Sequence, residues 1–453
     1  MAWLLVSLLL IAGGLGLYKE RAAVVRYYHT PFTVSPHILV LTSDDWGGMG
    51  TPIGNGPDDR PQDVTELMRT LEPFRDSYGR RPVLTVYMTP AMPDFQAIKA
   101  SGYTRYSSRF AYDDRPEMVA LWRKLIAEGR VEIGLHGCEH WNGPLYMELL
   151  QKEPAYRKAL DDGRIPFRDD AYWACCKSDG RLEYLCRTYI DTDGGQIRSP
   201  SLERQRRITR EGLDLIERNL GVRPTAVVAP GHVYDEVTCR ALAMEGVEFL
   251  ETPVRPIVQV DDHRRRTDST DDTAHGLRVE GVGIVIRTDD YEPAWQKVRV
   301  GPQETYWEVR RNFECGIPVV LSAHKASFSS HSAEDERYRR ELAEILRMVQ
   351  AEYPDVAFLG ASDLGHYMHG QGDRAGRKIE FRRQELATFD RICITGKALW
   401  FCHFKFRVWV YILAAAVMWA LVRTVMSWRP RRGRSEEPQV PSAGGKLQTA
   451  LST

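Results

Sequence analysis

Between residue 37 and about residue 370 the chain alternates short apolar runs with longer segments of helical period. The apolar runs are "HILVLTSDDW", "RPVLTVYMTP", "RVEIGLHGCEH", "RPTAVVAPGH", "VEFLETPV", "VGIVIRTDD", "IPVVLSAHK" and "VAFLGASDL". Each is too short for a buried helix and rich in Val, Ile and Leu, as expected of strands covered on both faces. Between them lie the helical patterns "DVTELMRTLEPF", "RPEMVALWRKLIAEG", "LERQRRITREGLDLIERNLG", "EVTCRALAMEG", "ETYWEVRRNFECG" and "DERYRRELAEILRMVQAE". Several stop at glycine (Gly129, Gly221, Gly246, Gly316), the residue that most easily takes the left-handed turn ending a helix. Strand and helix in alternation predict an α/β architecture around a parallel sheet. Two segments break the rhythm, at about 143–200 and 254–277, and read as insertions. The first is expected to lie over the ends of the strands, and the second, with "DDHRRRTDSTDD", to be a solvated loop.

The ends differ from the middle. Ala2 to Leu17 is apolar and uncharged, with Lys19, Arg21 and Arg26 after it and no basic stretch before it. That reads as an N-terminal membrane anchor or signal-anchor over 1–28 rather than a cleaved leader. Val408 to Val422 is a second apolar run, flanked by Lys405, Arg407 and Arg423 and carrying Trp409, Tyr411 and Trp419. With snorkelling basic ends it predicts a transmembrane helix over 406–427, a buried core helix being the alternative. A linker over 371–405 and a polar basic tail over 428–453 complete this organisation. The basic "SWRPRRGR" favours a cytoplasmic tail, which places the domain between the spans outside the cytoplasm; the cations after the first run pull the other way.

Composition narrows the function. The 61 Lys and Arg balance the 61 Asp and Glu, so the basic surplus that nucleic-acid binding calls for is absent. Eight cysteines in 453 residues do not describe a disulfide scaffold, although Cys175, Cys176 and Cys186 cluster. The chemistry gathers at the C-terminal ends of the strands, where open and barrel α/β folds build their sites. "TSDDW" ends the first run with Asp44 and Asp45, two carboxylates that raise each other's pKa unless something positive holds them. On a continuing strand they would point to opposite faces; a turn at the strand end would let both reach one site. "HGCEH" offers His136 and His140, whose i, i+4 spacing on a helical turn could hold one ion, with Cys138 and Glu139 pointing elsewhere. Two imidazoles and a carboxylate with an open position are a catalytic ligand set. "VVLSAHK" adds His324, a possible proton donor near neutral pH, and "APGH" adds Pro230, His232 and the nearby Tyr234.

The order TSDDW, HGCEH, a Pro-Gly strand end and LSAH resembles the polysaccharide deacetylases, carbohydrate esterase family four, over roughly residues 37–370. The resemblance implies a distorted (β/α) barrel and a metal-dependent deacetylase acting on an N-acetylated sugar of a glycan or glycolipid. Asp45, His136 and His140 would bind one divalent ion, zinc; Asp44 would be the general base and His324 the general acid. Leu321 would line the pocket for the acetyl methyl, with Pro230, His232 and Trp46 also at the substrate. Two departures from the family pattern stand out. The stretch that usually carries an arginine paired with the base reads Val228-Ala229-Pro230, and Trp46 stands where glycine usually follows the aspartates. His232 or Lys325 would then have to orient Asp44. Two further readings use the same cleft: a metal-dependent hydrolase of a non-sugar amide, and a non-catalytic member that binds glycan or scaffolds an assembly.

Overall fold

A computed structural model describes residues 32–48, 59–161, 188–193, 196–253, 257–260, 266–268, 273–294, 301–329, 332–370 and 382–385, with 417 and 419. The chain divides into a central unit, Lys19–Phe404, and a second made of the terminal stretches Met1–Tyr18 and Lys405–Thr453. The two expected membrane segments and Cys175, Cys176 and Cys186 lie outside the described residues, apart from Val417 and Trp419. Among the described residues no helix is long and apolar enough to cross a membrane.

Each predicted strand forms. We number them β1 (Ile38–Gly47), β2 (Leu84–Thr89), β3 (Val131–Leu135), β4 (Ala226–Val227), β5 (Phe249–Thr252), β6 (Val282–Ile286), β7 (Asp289–Asp290), β8 (Val319–His324) and β9 (Ala357–Leu359). The parallel strands run in the order β6-β5-β4-β3-β2-β1-β8-β7, with β9 paired to the base of β1 and the short strand Arg278–Val279 antiparallel on the outer side of β6. The first and last strands of this path, β6 and β7, are separated in the chain only by Arg287 and Thr288. Arg287 N–H bonds the Thr252 carbonyl on one side and Thr288 N–H bonds Val320 on the other. One bent segment therefore carries both ends of the parallel run, and the sheet curls round on itself, in keeping with the expected distorted barrel.

The helices follow the strands as predicted: α1 (Pro61–Leu71), α2 (Pro116–Ala127), α3 (Leu202–Leu220), α4 (Glu236–Met244), α5 (Pro302–Glu314) and α6 (Ala333–Glu352). Their ends are written locally. Ser201 and Ser332 cap α3 and α6 by accepting from the Arg204 and Asp335 amides, and Gly221 ends α3 at φ 80°. The end of "VAFLGASDL" is not strand: from Ala361 to Met368 it forms a short helix, α7.

Side-chain alternation gives the sheet two distinct faces. Leu39, Leu41, Val86, Ile133, Leu250, Ile284, Val319 and Leu321 point outward into one core shared with Leu67, Trp122, Leu213, Leu242, Val309 and Leu346 of the helices. Ile38, Val40, Tyr87, Val228, Phe249, Val285, Val320 and Leu359 form a second cluster with Leu364 and Met368 of α7. Above that inner cluster, towards the strand C-termini, the inner face turns polar. The first insertion begins as two helices, Gly143–Lys152 and Pro154–Asp161. They pack Leu145, Tyr146, Leu150 and Tyr156 with Met92 and Trp141, next to the loop that bears His140. In the second, Ile257–Val260 pairs with Arg266–Asp268 as a ribbon where a bare loop was expected.

Candidate metal centre and its acid–base partners

The two adjacent aspartates reach one site because β1 is bulged. Ser43 pairs with Val86 and Trp46 with Met88, so Asp44 and Asp45 together oppose Tyr87. Asp45 takes the left-handed conformation, φ 67°, which is costly for a residue with a Cβ and re-aims its side chain. Both carboxylates are buried, 1% and 6% exposed, yet they have different partners. Asp45 Oδ1 lies 3.4 Å from His136 Nε2 and 3.6 Å from His140 Nε2. Asp44 Oδ1 accepts a 2.6 Å hydrogen bond from Arg287 Nη2.

The two histidines converge by a different route from the one expected. His136 to His140 is irregular backbone, not a helical turn, and Gly137 (φ 68°) turns the chain so that the rings stand 4.9 Å apart. A side chain at Gly137 would strike the Pro230 ring at 2.8 Å, so Pro230 backs this loop. Cys138 is buried with its thiol pKa pushed well up by burial, and Glu139 accepts from Tyr106 Oη at 2.7 Å; neither joins the cluster.

The ligand atoms of Asp45, His136 and His140 all lie within 4.8 Å of one another. Donors each about 2.1 Å from a tetrahedral zinc stand about 3.4 Å apart, close to the separations from Asp45. His136 Nδ1 faces the Val228 carbonyl at 2.9 Å. That bond places the ring proton on Nδ1 and leaves the Nε2 lone pair directed at the site, the usual tautomer of a ligating histidine. The donor set therefore fits a single divalent ion.

Asp44 and His324 flank this triad. Burial alone would raise the Asp44 pKa, but Arg287, His136 and His324 more than offset it and hold the carboxyl below its ordinary value. His324 Nε2 is 4.0 Å from Asp45 Oδ2, and its Nδ1 bonds the Glu292 carboxylate. Burial works against charge on this ring, yet Asp45 and Glu292 prevail and raise its pKa to about 9. Register pairs His324 with Asp44 across β8 and β1, so the two stand side by side on neighbouring strands.

Three expectations are corrected. Leu321 does not line the site: it alternates to the outward face and borders a small apolar cavity with Leu41, Leu67, Leu71, Phe328 and Leu342. Trp46 is wholly buried in the same outer layer, edge-on to Trp122 at 5.4 Å, its indole N–H donating to Ser43 Oγ at 2.8 Å. The bulge consumes one residue of alternation and so turns Trp46 outward. Lys325 does not orient Asp44, because its Nζ pairs with buried Asp59 at 2.9 Å. His232 is at the site, φ 58°, but its Nε2 lies 3.5 Å from Arg287 Nη1 rather than on Asp44. Burial first, then Arg287, holds its pKa well below the ordinary value, keeping the ring neutral.

Sequence reasoning missed Arg287, Glu251 and Glu292. Arg287 supplies, from the bend between β6 and β7, the cation absent at Val228-Ala229-Pro230. The signal was present: "VGIVIRTDDYE" carries an arginine straight after an apolar run, followed by three acids.

No family model matches the sequence, and no curated protein matches it. Solved structures do match. A protein provisionally described as a polysaccharide deacetylase from Mycobacterium smegmatis is 15% identical, with 76% of this chain and 92% of that chain covered at a TM-score of 0.38. A family 4 acetyl xylan esterase from Clostridium thermocellum, in complex with a cobalt ion, is 9% identical, covering 74% and 92% at 0.34. A 4-alpha-glucanotransferase from Thermococcus litoralis is 12% identical, covering 72% of this chain but only 40% of that one, at 0.35.

Proposed function

We propose that this chain is a metal-dependent hydrolase of the polysaccharide deacetylase type, removing the acetyl group from an N-acetylated sugar of a glycan. The observation that carries the reading is the separation of Asp44 from Asp45. One carboxylate is paired with Arg287 and the other faces two imidazoles, so neighbouring identical groups have distinct environments. Environments that set two titratable groups apart are how a site divides ligand and base roles.

Asp45, His136 and His140 would hold the ion, zinc being the borderline cation their mixed nitrogen and oxygen donors suit. Zinc there would supply a Lewis acid for the amide carbonyl and an acidified water. Asp44, ionised against Arg287, accepts the proton that the water loses as oxygen adds to the carbonyl carbon. His324, its Nδ1–H held by Glu292, gives its Nε2 proton to the nitrogen as the C–N bond breaks, releasing acetate and an amine. The absent motif arginine was the feature favouring a non-catalytic member, and Arg287 now fills that need. The same proposal includes tethering by 1–28 and 406–427 with the catalytic unit outside the cytoplasm, which protease protection of intact cells or vesicles would test.

The direct test is acetate release from N-acetylated glycans such as chitin oligomers. We expect release that stops with a chelator and returns with zinc. No release from any N-acetylated glycan, with metal bound, would contradict the reading.

A further inference from the structure

We propose that Glu251 is a positioning residue for this site, fixing Arg287 so that its guanidinium meets Asp44; the inference rests on the base role given to Asp44 above. Glu251 lies on β5, 1% exposed, and is not among the clustered ligand residues. Its carboxylate takes three donors, from two other strands and from the β6–β7 bend. Thr42 Oγ1 of β1 donates at 3.0 Å, Tyr87 Oη of β2 at 2.8 Å and Arg287 Nε at 2.7 Å. The guanidinium is planar and rigid, so holding Nε fixes the direction of the far nitrogens. With Nε on Glu251, Nη2 reaches Asp44 at 2.6 Å and Nη1 lies 3.5 Å from His232 Nε2.

The arrangement is more than structural filling. Directly below it the inner face is closed by apolar residues, Val40, Val285, Phe249 and Val320, which shows that this sheet can pack its interior without charge. Burying a carboxylate against an arginine is no better for stability than apolar packing of the same volume, unless the geometry serves another purpose. Here it does. The arginine enters from the β6–β7 bend, one side of the sheet, while its target is on β1, and Glu251 is the group that sets its approach. Thr42 and Tyr87 in turn fix Glu251, so the base is oriented through two steps of fully hydrogen-bonded side chains.

Glu251→Gln keeps shape but sets an amide N–H₂ or a weaker acceptor against Arg287 Nε–H. In the zinc-loaded full chain we expect acetate turnover to fall at least about tenfold, with KM within about twofold and one metal retained. Adding Glu251→Gln to Arg287→Met should cause no further loss, because Glu251 acts through Arg287. Turnover of a folded Glu251→Gln protein within about twofold of wild type, or losses that multiply in the double variant, would overturn the inference. If Glu251→Gln does not fold, Tyr87→Phe removes one donor with little change of shape; it should lower turnover severalfold with KM held, and unchanged turnover would count against us. A readout independent of activity separates this from the functional reading. Arg287 Nε–H should give a slowly exchanging ¹H–¹⁵N resonance that Glu251→Gln abolishes, even if no glycan is hydrolysed. A fast-exchanging Nε–H in the wild type would refute the role of Glu251 alone.

Discussion

The outward and inward faces of the curled sheet are made by the same strands and obey different rules. Outward, residues such as Leu41, Ile133, Leu250 and Leu321 meet helices in a continuous apolar layer. Burial there is non-directional, so volume matters more than identity. Inward and near the strand C-termini, Thr42, Asp44, Glu251 and Arg287 are just as buried, but each is tied to particular atoms of particular partners. Substitution outside should change stability and leave the chemistry; substitution inside should change the chemistry even where the protein stays folded.

That contrast can be broken by experiment. The largest effect is expected at the triad. His136→Ala should lose the metal and with it essentially all acetate release, read by elemental analysis and product assay. Asp44→Asn and His324→Ala should lower turnover by about 10²–10⁴-fold, the usual worth of a positioned base or acid, with Asp44→Asn also losing stability because it leaves Arg287 one buried carboxylate short. Arg287→Met removes one partner of a buried pair and should cost about 3–5 kcal/mol in denaturant unfolding while also lowering turnover. Arg287→Lys, which cannot span Glu251 and Asp44 with one rigid fork, should recover charge without recovering rate. The smallest effect on chemistry belongs to the outer face. Leu321→Ala should cost about 2–5 kcal/mol of stability yet leave kcat/KM within about threefold below the melting transition. A Leu321→Ala protein of normal stability and altered KM would restore Leu321 to the substrate pocket.

The fold was legible because strand and helix alternate with clear periods and end at glycine or at serine caps. The candidate metal cluster and its neighbours Asp44 and His324 were legible because they fall in short contiguous motifs at strand ends. What was not legible depends on pairing across the sheet. Arg287 and Asp44 are 243 residues apart and meet only because the β6–β7 segment joins the two ends of the parallel run. Glu251 reads as an ordinary charged residue near a strand end until Thr42, Tyr87 and Arg287 surround it. The two misplaced residues differ in kind. Counting back from His324 by twos reaches Ser322, not Leu321, so that error was avoidable from the strand period alone. Trp46 could not be placed this way, because the Asp44–Asp45 bulge shifts the alternation by one, and a bulge leaves no mark in the sequence here.

The central claim is that adjacent Asp44 and Asp45 do different work, one beside the ion and one holding it. Metal content of Asp44→Asn and Asp45→Asn, purified and dialysed side by side, tests it most directly. We predict one equivalent of zinc retained by Asp44→Asn and little or none by Asp45→Asn. Equal metal content in the two variants would contradict the account.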